Sequence, residues 1–82
     1  MYKIELAKSA VKTLESLDGR TQEKIHKVLE ALKTNPYRSI KIKKLRGELK
    51  GRFRYRIGEI RIIYFIVEEN KTIFVEASSI YK

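Results

Sequence analysis

Three strand-forming runs separated by two short connections limit the fold more than any other feature of this chain. The runs are rich in β-branched and aromatic residues, which favour extended backbone. Gly58 lies in the first connection and residues 69–71 form the second, so both are short enough for hairpins. The pattern predicts an antiparallel meander of three strands, which are RFRYRI (52–57), EIRIIYFIVEE (59–69) and TIFVEA (72–77).

The residues before the meander predict one strand followed by a helical hairpin. YKIELA (2–7) alternates apolar and polar side chains, which is the period of a strand with one buried face. Ser9 is expected to cap a first helix, because its hydroxyl suits the N-cap position. A second run of helical periodicity extends from about Thr21 to Lys33 and stops before Pro36. The short break between these runs predicts two antiparallel helices.

Together these segments predict an α+β fold with the element order β-α-α-β-β-β. The expected architecture is an antiparallel sheet with the N-terminal helical hairpin packed on one face, within a single domain of residues 1–82. The segment between the hairpin and the meander is polar and basic and contains Gly47 and Gly51. We expect a loop there, with a short strand at Ile40–Leu45.

The net charge of +9 is concentrated in one quarter of the chain. Residues 38–56 contain nine Lys or Arg side chains and one acidic side chain, Glu48, whereas the flanking segments are close to neutral. Such a cluster repels itself unless an anion neutralises it, so we expect RNA, DNA or an acidic protein segment as partner. The alternative is a solvated face that only aids solubility.

Arginines alternate with apolar residues along the first strand of the meander. Period two directs Arg52, Arg54 and Arg56 to one face of the sheet and the intervening residues to the face that the helices cover. A tight hairpin at Gly58 would bring Arg61 close to this row. Several guanidinium forks on an open face form a phosphate site. The alternative is that these arginines pair with Glu48, Glu59 or Glu76.

The remaining composition excludes several kinds of chemistry. The chain has no cysteine, one histidine and one aspartate. A metal cluster of thiolates or histidines is therefore not expected, and neither is a serine–histidine arrangement. No cofactor is predicted. There is no signal-peptide pattern and no apolar run long enough to cross a bilayer, so we expect a soluble, cytoplasmic protein. An enzyme of this composition must stabilise charge with Lys, Arg and Tyr side chains. RNA suits that chemistry, since its 2′-OH can act as the nucleophile.

KKLRG (43–47) followed by RFRYRIGEIRIIYFI (52–66) resembles the K-L-x-G…Y-R-x-R-x-G-x-Y-R-[VIL]-[IV]-Y pattern of the RelE/ParE toxin superfamily. The first helix, AKSAVKTLESL, and the closing IYK also resemble that family, so the likeness covers essentially the whole chain. The family's fold has the same β-α-α-β-β-β order that periodicity predicts independently.

The resemblance implies the toxin of a type II toxin–antitoxin pair that cuts mRNA in the ribosomal A site by 2′-OH attack on the neighbouring phosphate. It implies no metal, and its partners would be the ribosome, mRNA and a cognate acidic antitoxin. Matching by position implies catalytic roles for four residues and RNA-binding roles for four more. The catalytic set is Arg54, Arg56, Arg61 and Tyr81, and the RNA-binding set is Lys43, Lys44, Arg46 and Arg52.

The resemblance breaks down in ASSIYK (77–82). Many relatives carry an arginine there, in patterns such as S-R-G-D-I-Y-K, and this arginine is thought to stabilise charge or protonate the leaving 5′-oxygen. This chain has no basic residue between Lys71 and Lys82. We therefore expect cleavage to be attenuated.

Three alternative functions remain open at this stage. The chain could be a catalytically inactive relative that still binds its antitoxin, or a ParE-like protein that poisons gyrase. It could also be a small nucleic-acid-binding module in which Phe53, Tyr55 and Tyr64 stack on bases. Alternation directs Phe53 and Tyr55 away from the arginines, which favours core packing for both.

Overall fold

The computed structural model describes residues 1–80, which form two helices and five strands. In chain order these are β1 (Lys3–Leu6), α1 (Lys8–Glu15), α2 (Gly19–Thr34), β2 (Ile42–Lys44), β3 (Phe53–Ile57), β4 (Ile60–Val67) and β5 (Thr72–Ile80). Single 3₁₀ turns at Gly47–Leu49 and Glu68–Asn70 precede β3 and β5. The predicted α+β class and helical hairpin are confirmed. The short strand expected near residues 40–45 is β2.

The strands form one sheet in the order β1-β5-β4-β3-β2. The meander β3-β4-β5 is antiparallel, as predicted, and β2 adds to its edge antiparallel to β3. β1 pairs parallel with β5, with Ile4 opposite Ile73, so the complete sheet is mixed. The helical hairpin and the meander together supply the long connection that a parallel pair requires.

The two helices begin differently from the sequence prediction. Asp18 caps α2, because its carboxylate accepts a hydrogen bond of 2.7 Å from the Thr21 N–H. The helix therefore begins at Gly19, two residues before the predicted start at Thr21. The prediction that Ser9 caps α1 is wrong. Ala7 precedes that helix without a side-chain cap, and the Ser9 hydroxyl instead donates to the Glu76 carbonyl at 3.4 Å. No helix in residues 1–80 is both long and apolar enough to span a bilayer.

The helices cover one face of the sheet and leave the other open. Ala10 of α1 and two side chains of α2, Ile25 and Leu32, are buried against the inward-facing residues of β4 and β5. Phe53 of β3 stacks on Tyr64 of β4, with ring centroids 5.6 Å apart and planes inclined by 17°. The three candidates for base stacking therefore lie on the core side of the sheet. They are Phe53, Tyr55 and Tyr64.

Tyr64 joins the core to the connection between α2 and β2. Its side chain is fully buried, and its hydroxyl donates a hydrogen bond of 2.7 Å to the Pro36 carbonyl. Burial raises the pKa of this hydroxyl, so it remains a donor at neutral pH. We expect Tyr64→Phe to lower the free energy of unfolding by about 1–3 kcal/mol, because it leaves a buried carbonyl without its donor. Urea denaturation would measure this loss, and unchanged stability would contradict the assigned hydrogen bond.

A second polar cluster ties the start of β1 to the turn between β4 and β5. The Glu68 carboxylate accepts hydrogen bonds from the hydroxyls of Tyr37 and Tyr2, the latter at 2.8 Å, and lies 3.0 Å from the Lys71 ammonium. The hydrogen bond from Tyr37, with smaller contributions from Tyr2 and Lys71, lowers the pKa of Glu68 to about 2.

The lowered pKa of Glu68 predicts that the folded protein loses stability as the pH falls. Because the folded-state pKa of Glu68 lies below the ordinary value of 4.5, its stabilisation is present above pH 4.5 and is lost as the pH falls towards 2. Glu68→Gln should therefore be less stable than the native chain at pH 6, and the difference should shrink at pH 2.5. Urea denaturation at both pH values measures it, and a difference independent of pH would contradict the lowered pKa.

Candidate nucleic-acid interface

The open face of the sheet carries the predicted arginines on its central strands. Arg54 and Arg56 project from β3, and Arg61 projects from β4 on the same side. Arg56 and Arg61 are direct partners in the antiparallel register, so the expected approach of Arg61 to the β3 arginines is confirmed. Like charges directly opposite each other on neighbouring strands destabilise a sheet. A bound anion between these two guanidinium groups would offset that cost.

Arg54 is partly buried. Its Nε atom is shielded from solvent, and within residues 1–80 it has no hydrogen-bond partner. A buried donor without an acceptor costs free energy. Arg56 is more exposed, and its Nε donates to the Gly58 carbonyl at 3.2 Å, which holds its side chain towards the hairpin turn.

Arg52, the first arginine of the alternating row, is held by an acidic partner. Its Nε and one Nη lie 2.6 and 2.9 Å from the two carboxylate oxygens of Glu76. This contact raises the pKa of the guanidinium, and its Cζ lies 5.8 Å from the centre of the Phe65 ring. The alternative in which an arginine of the row pairs with Glu76 therefore applies to Arg52.

A β-bulge in β5 lies at Glu76, the residue that contacts Arg52. Ile63 of β4 is opposite Ala77, while the next residue, Tyr64, is opposite Val75, so Glu76 is the extra residue of the bulge. A bulge changes the direction of side chains that simple alternation would assign. Beyond it, Ser78 is buried and its hydroxyl donates to the Ala10 carbonyl at 3.3 Å.

The remaining predicted RNA-binding residues divide between the two sides of the sheet. Lys43 is opposite Arg54 on the edge strand β2. It extends to that edge the basic row formed by Arg54, Arg56 and Arg61. Lys44 is opposite Phe53, so its side chain leaves the strand on the side of the helices. Both lysines, with Leu45 and Arg46, line an open cavity of about 660 Å³ at the sheet edge. Arg46 is thus near the basic row without belonging to it.

The predicted catalytic tyrosine, Tyr81, lies outside the described residues. The backbone of β5 is described as far as Ile80, and it pairs Ser79 with Arg61 and Ile80 with Ile60. The last strand therefore runs beside the Arg56–Arg61 pair. The role of Tyr81 stays a prediction.

Two aromatic residues on the open face were missed by the sequence reasoning. Phe65 and Phe74 are directly opposite each other on β4 and β5, and their ring centroids are 5.2 Å apart. Both are partly exposed. The signal was present in the sequence, because period two from Arg61 leads to Phe65, on the same face as the arginines.

The open face thus combines a cationic row with a neighbouring aromatic pair, on a rigid antiparallel meander supported by two helices. The class of protein defined by this fold and surface is a small α+β domain with a strongly basic open sheet face. The family model for the ParE toxin of type II toxin–antitoxin systems matches residues 4–77. The chain belongs to the RelE/ParE superfamily, and it is a toxin of the type II class.

Individual relatives are consistent with this assignment over nearly the full chain. A protein from Methanocaldococcus jannaschii named RelE1 is 31% identical over 80 residues, which cover 95% of this chain and 88% of the relative. The structure resembles that of the toxin–antitoxin complex RelBE2 from Mycobacterium tuberculosis, with a TM-score of 0.84, 28% identity and 96% coverage of both chains. It also resembles the archaeal RelE–RelB complex from Pyrococcus horikoshii, with a TM-score of 0.83, 26% identity and coverage of 96% and 93%.

Proposed function

We propose that this toxin is a ribosome-dependent endoribonuclease that cleaves mRNA in the A site. The observation that carries the proposal is the position of Arg54, Arg56 and Arg61 on one open sheet face. A ParE-like action on gyrase is the second candidate, because the family model that matches the chain is that of the ParE toxin.

The proposed reaction uses the RNA's own nucleophile. The 2′-oxygen forms a bond to the adjacent phosphorus, the bond from phosphorus to the 5′-oxygen breaks, and the products carry a cyclic phosphate and a 5′-hydroxyl. The proton lost by the 2′-OH and the proton gained by the 5′-oxygen balance. The protein must therefore orient the ribose and stabilise charge that develops on the phosphoryl oxygens, for which preoriented guanidinium groups are suited. Tyr81 is proposed to stack on a base or to help activate the 2′-OH.

The test is a cleavage assay with the purified toxin, a short mRNA and ribosomes whose A site is empty. We expect cleavage within the A-site codon when ribosomes are present and little cleavage of the same mRNA without them. Primer extension maps the cut. No cleavage in either case, together with inhibition of gyrase supercoiling by the same preparation, would overturn the proposal in favour of the ParE-like alternative.

We also propose that a cognate acidic antitoxin binds this toxin. The high positive charge of residues 38–56 would attract an acidic segment, and relatives of similar fold have been solved as complexes with a RelB protein. The helical side offers a second contact, since an apolar groove of about 270 Å³ is lined by Val11, Leu14, Ile25 and Leu29 among others. Binding that depends on the basic row should weaken as salt is added.

A further inference from the structure

The ion pair between Arg52 and Glu76 forms a flat, supported unit on the open face. Two roughly parallel hydrogen bonds of 2.6 and 2.9 Å hold the guanidinium and the carboxylate together, an arrangement that keeps both groups close to one plane. Phe65 lies beside the guanidinium, with its ring centre 5.8 Å from Cζ, and Phe74 adjoins Phe65. The side chains of Arg52 and Glu76 are 33% and 29% exposed, so part of the unit faces solvent.

This arrangement makes Arg52 a poor phosphate ligand. Its Nε and one Nη, which form one of the forks that grip a phosphate, are already bound to Glu76. The carboxylate also places a negative charge where a phosphate would have to approach. What remains available is the flat face of the guanidinium. Nucleobases in single strands stack on guanidinium planes and on aromatic rings.

We propose that the Arg52–Glu76 pair, supported by Phe65 and Phe74, is a stacking subsite for one base of a single-stranded RNA. Arg54 lies on the same face, about 7 Å further along the strand direction at the usual rise per residue. A nucleotide whose phosphate contacts Arg54 can therefore direct its own base, or its neighbour's, over Arg52. The subsite rests on the proposed function, since it requires RNA on the cationic row.

The charges favour a base over an acidic peptide at this position. Glu76 would repel the carboxylates of an acidic partner. A nucleobase is neutral, so the carboxylate does not repel it when it lies over the ion pair. The cation in the pair also favours the electron-rich face of a purine, in the manner of a cation–π contact. The Glu76 carboxylate thus has a positive role, because it sets the orientation of Arg52.

The experiment compares two fluorescein-labelled hexanucleotides with the same backbone charge, at low ionic strength and by fluorescence anisotropy. One is 2′-O-methyl hexaadenylate, which cannot be cleaved because its 2′-oxygens are blocked, and the other is the same backbone with abasic positions. We expect the native chain to bind the adenylate at least about fivefold more tightly, as expected for one stacked base. Arg52→Lys keeps the positive charge but removes the planar guanidinium. The ratio of the affinities for the adenylate and abasic strands should therefore fall to near one, while the affinity for the abasic strand is retained.

Two further variants separate stacking from charge. Glu76→Gln removes the carboxylate that orients Arg52, so it should increase affinity for both strands while lowering their ratio. Arg20→Lys makes the matched substitution on an exposed position of α2 and should leave the ratio unchanged. A native ratio of one would overturn the subsite and leave the phosphate site standing. Absence of binding to either strand would overturn both, and an Arg52→Lys variant with an undiminished ratio would show that Arg52 is not the platform.

Discussion

Arg61→Ala is expected to lower the rate of mRNA cleavage on programmed ribosomes by about 10²–10³-fold. The guanidinium lies on the open face directly opposite Arg56 in the strand register, and the backbone of Ser79 flanks it on the other side. It is therefore in the middle of the row proposed to hold the reacting phosphate. Removal of one preorganised donor to developing negative charge typically costs this factor. Single-turnover cleavage with excess toxin measures the chemical step directly.

Two further variants show whether the loss of cleavage rate comes from removing the bidentate guanidinium of Arg61 or only from removing its charge. Arg61→Lys retains one positive charge and loses the bidentate geometry, so its rate should lie between those of the native chain and Arg61→Ala. Arg20→Ala removes the same charge from the exposed surface of α2 and should leave the rate within about twofold, as expected for a charge outside the site. A denaturation curve for each variant checks that it is folded. Equal cleavage by Arg61→Ala and the native chain would remove Arg61 from the proposed site.

The arginine face could be predicted because period two is a local property of an extended chain. RFRYRI needs no knowledge of its neighbours to separate its arginines from Phe53 and Tyr55, and the hairpin at Gly58 then brings Arg61 opposite Arg56. The helical hairpin followed from periodicity in the same way. Such features are encoded within about ten residues, and tertiary contacts do not alter them.

Other features depend on contacts between distant segments and had no local signal. The parallel pairing of β1 with β5 joins the two ends of the described chain. Alternation places Glu76 on the open face with Phe74, but it cannot say which arginine the carboxylate contacts, because that depends on the pairing of β5 with β4. This one contact changes the interpretation of the site, because it separates Arg52 from the row proposed to bind phosphate.

The departure of ASSIYK from the family pattern leads to the second large prediction. Insertion of Arg-Gly-Asp between Ser79 and Ile80 should raise the cleavage rate by about 10²–10³-fold, the factor expected for one donor that acts on the transition state. The structure supports the position, since the backbone of Ser79 pairs with Arg61. An arginine introduced directly after Ser79 would take the position one residue beyond the partner of Arg61.

The matched control is an insertion of Ser-Gly-Asp at the same point, which adds the same length without the guanidinium. If the arginine supplies charge stabilisation or a proton for the leaving 5′-oxygen, only the first insertion should accelerate cleavage, and the acceleration should depend on Arg61 being present. Equal acceleration by the two insertions would show that chain length and not the guanidinium limits the reaction. No acceleration by either would contradict attenuation as the reason for slow cleavage. In that case the cationic row of β3 and β4 must supply all the protein's contribution to stabilising the reacting phosphate.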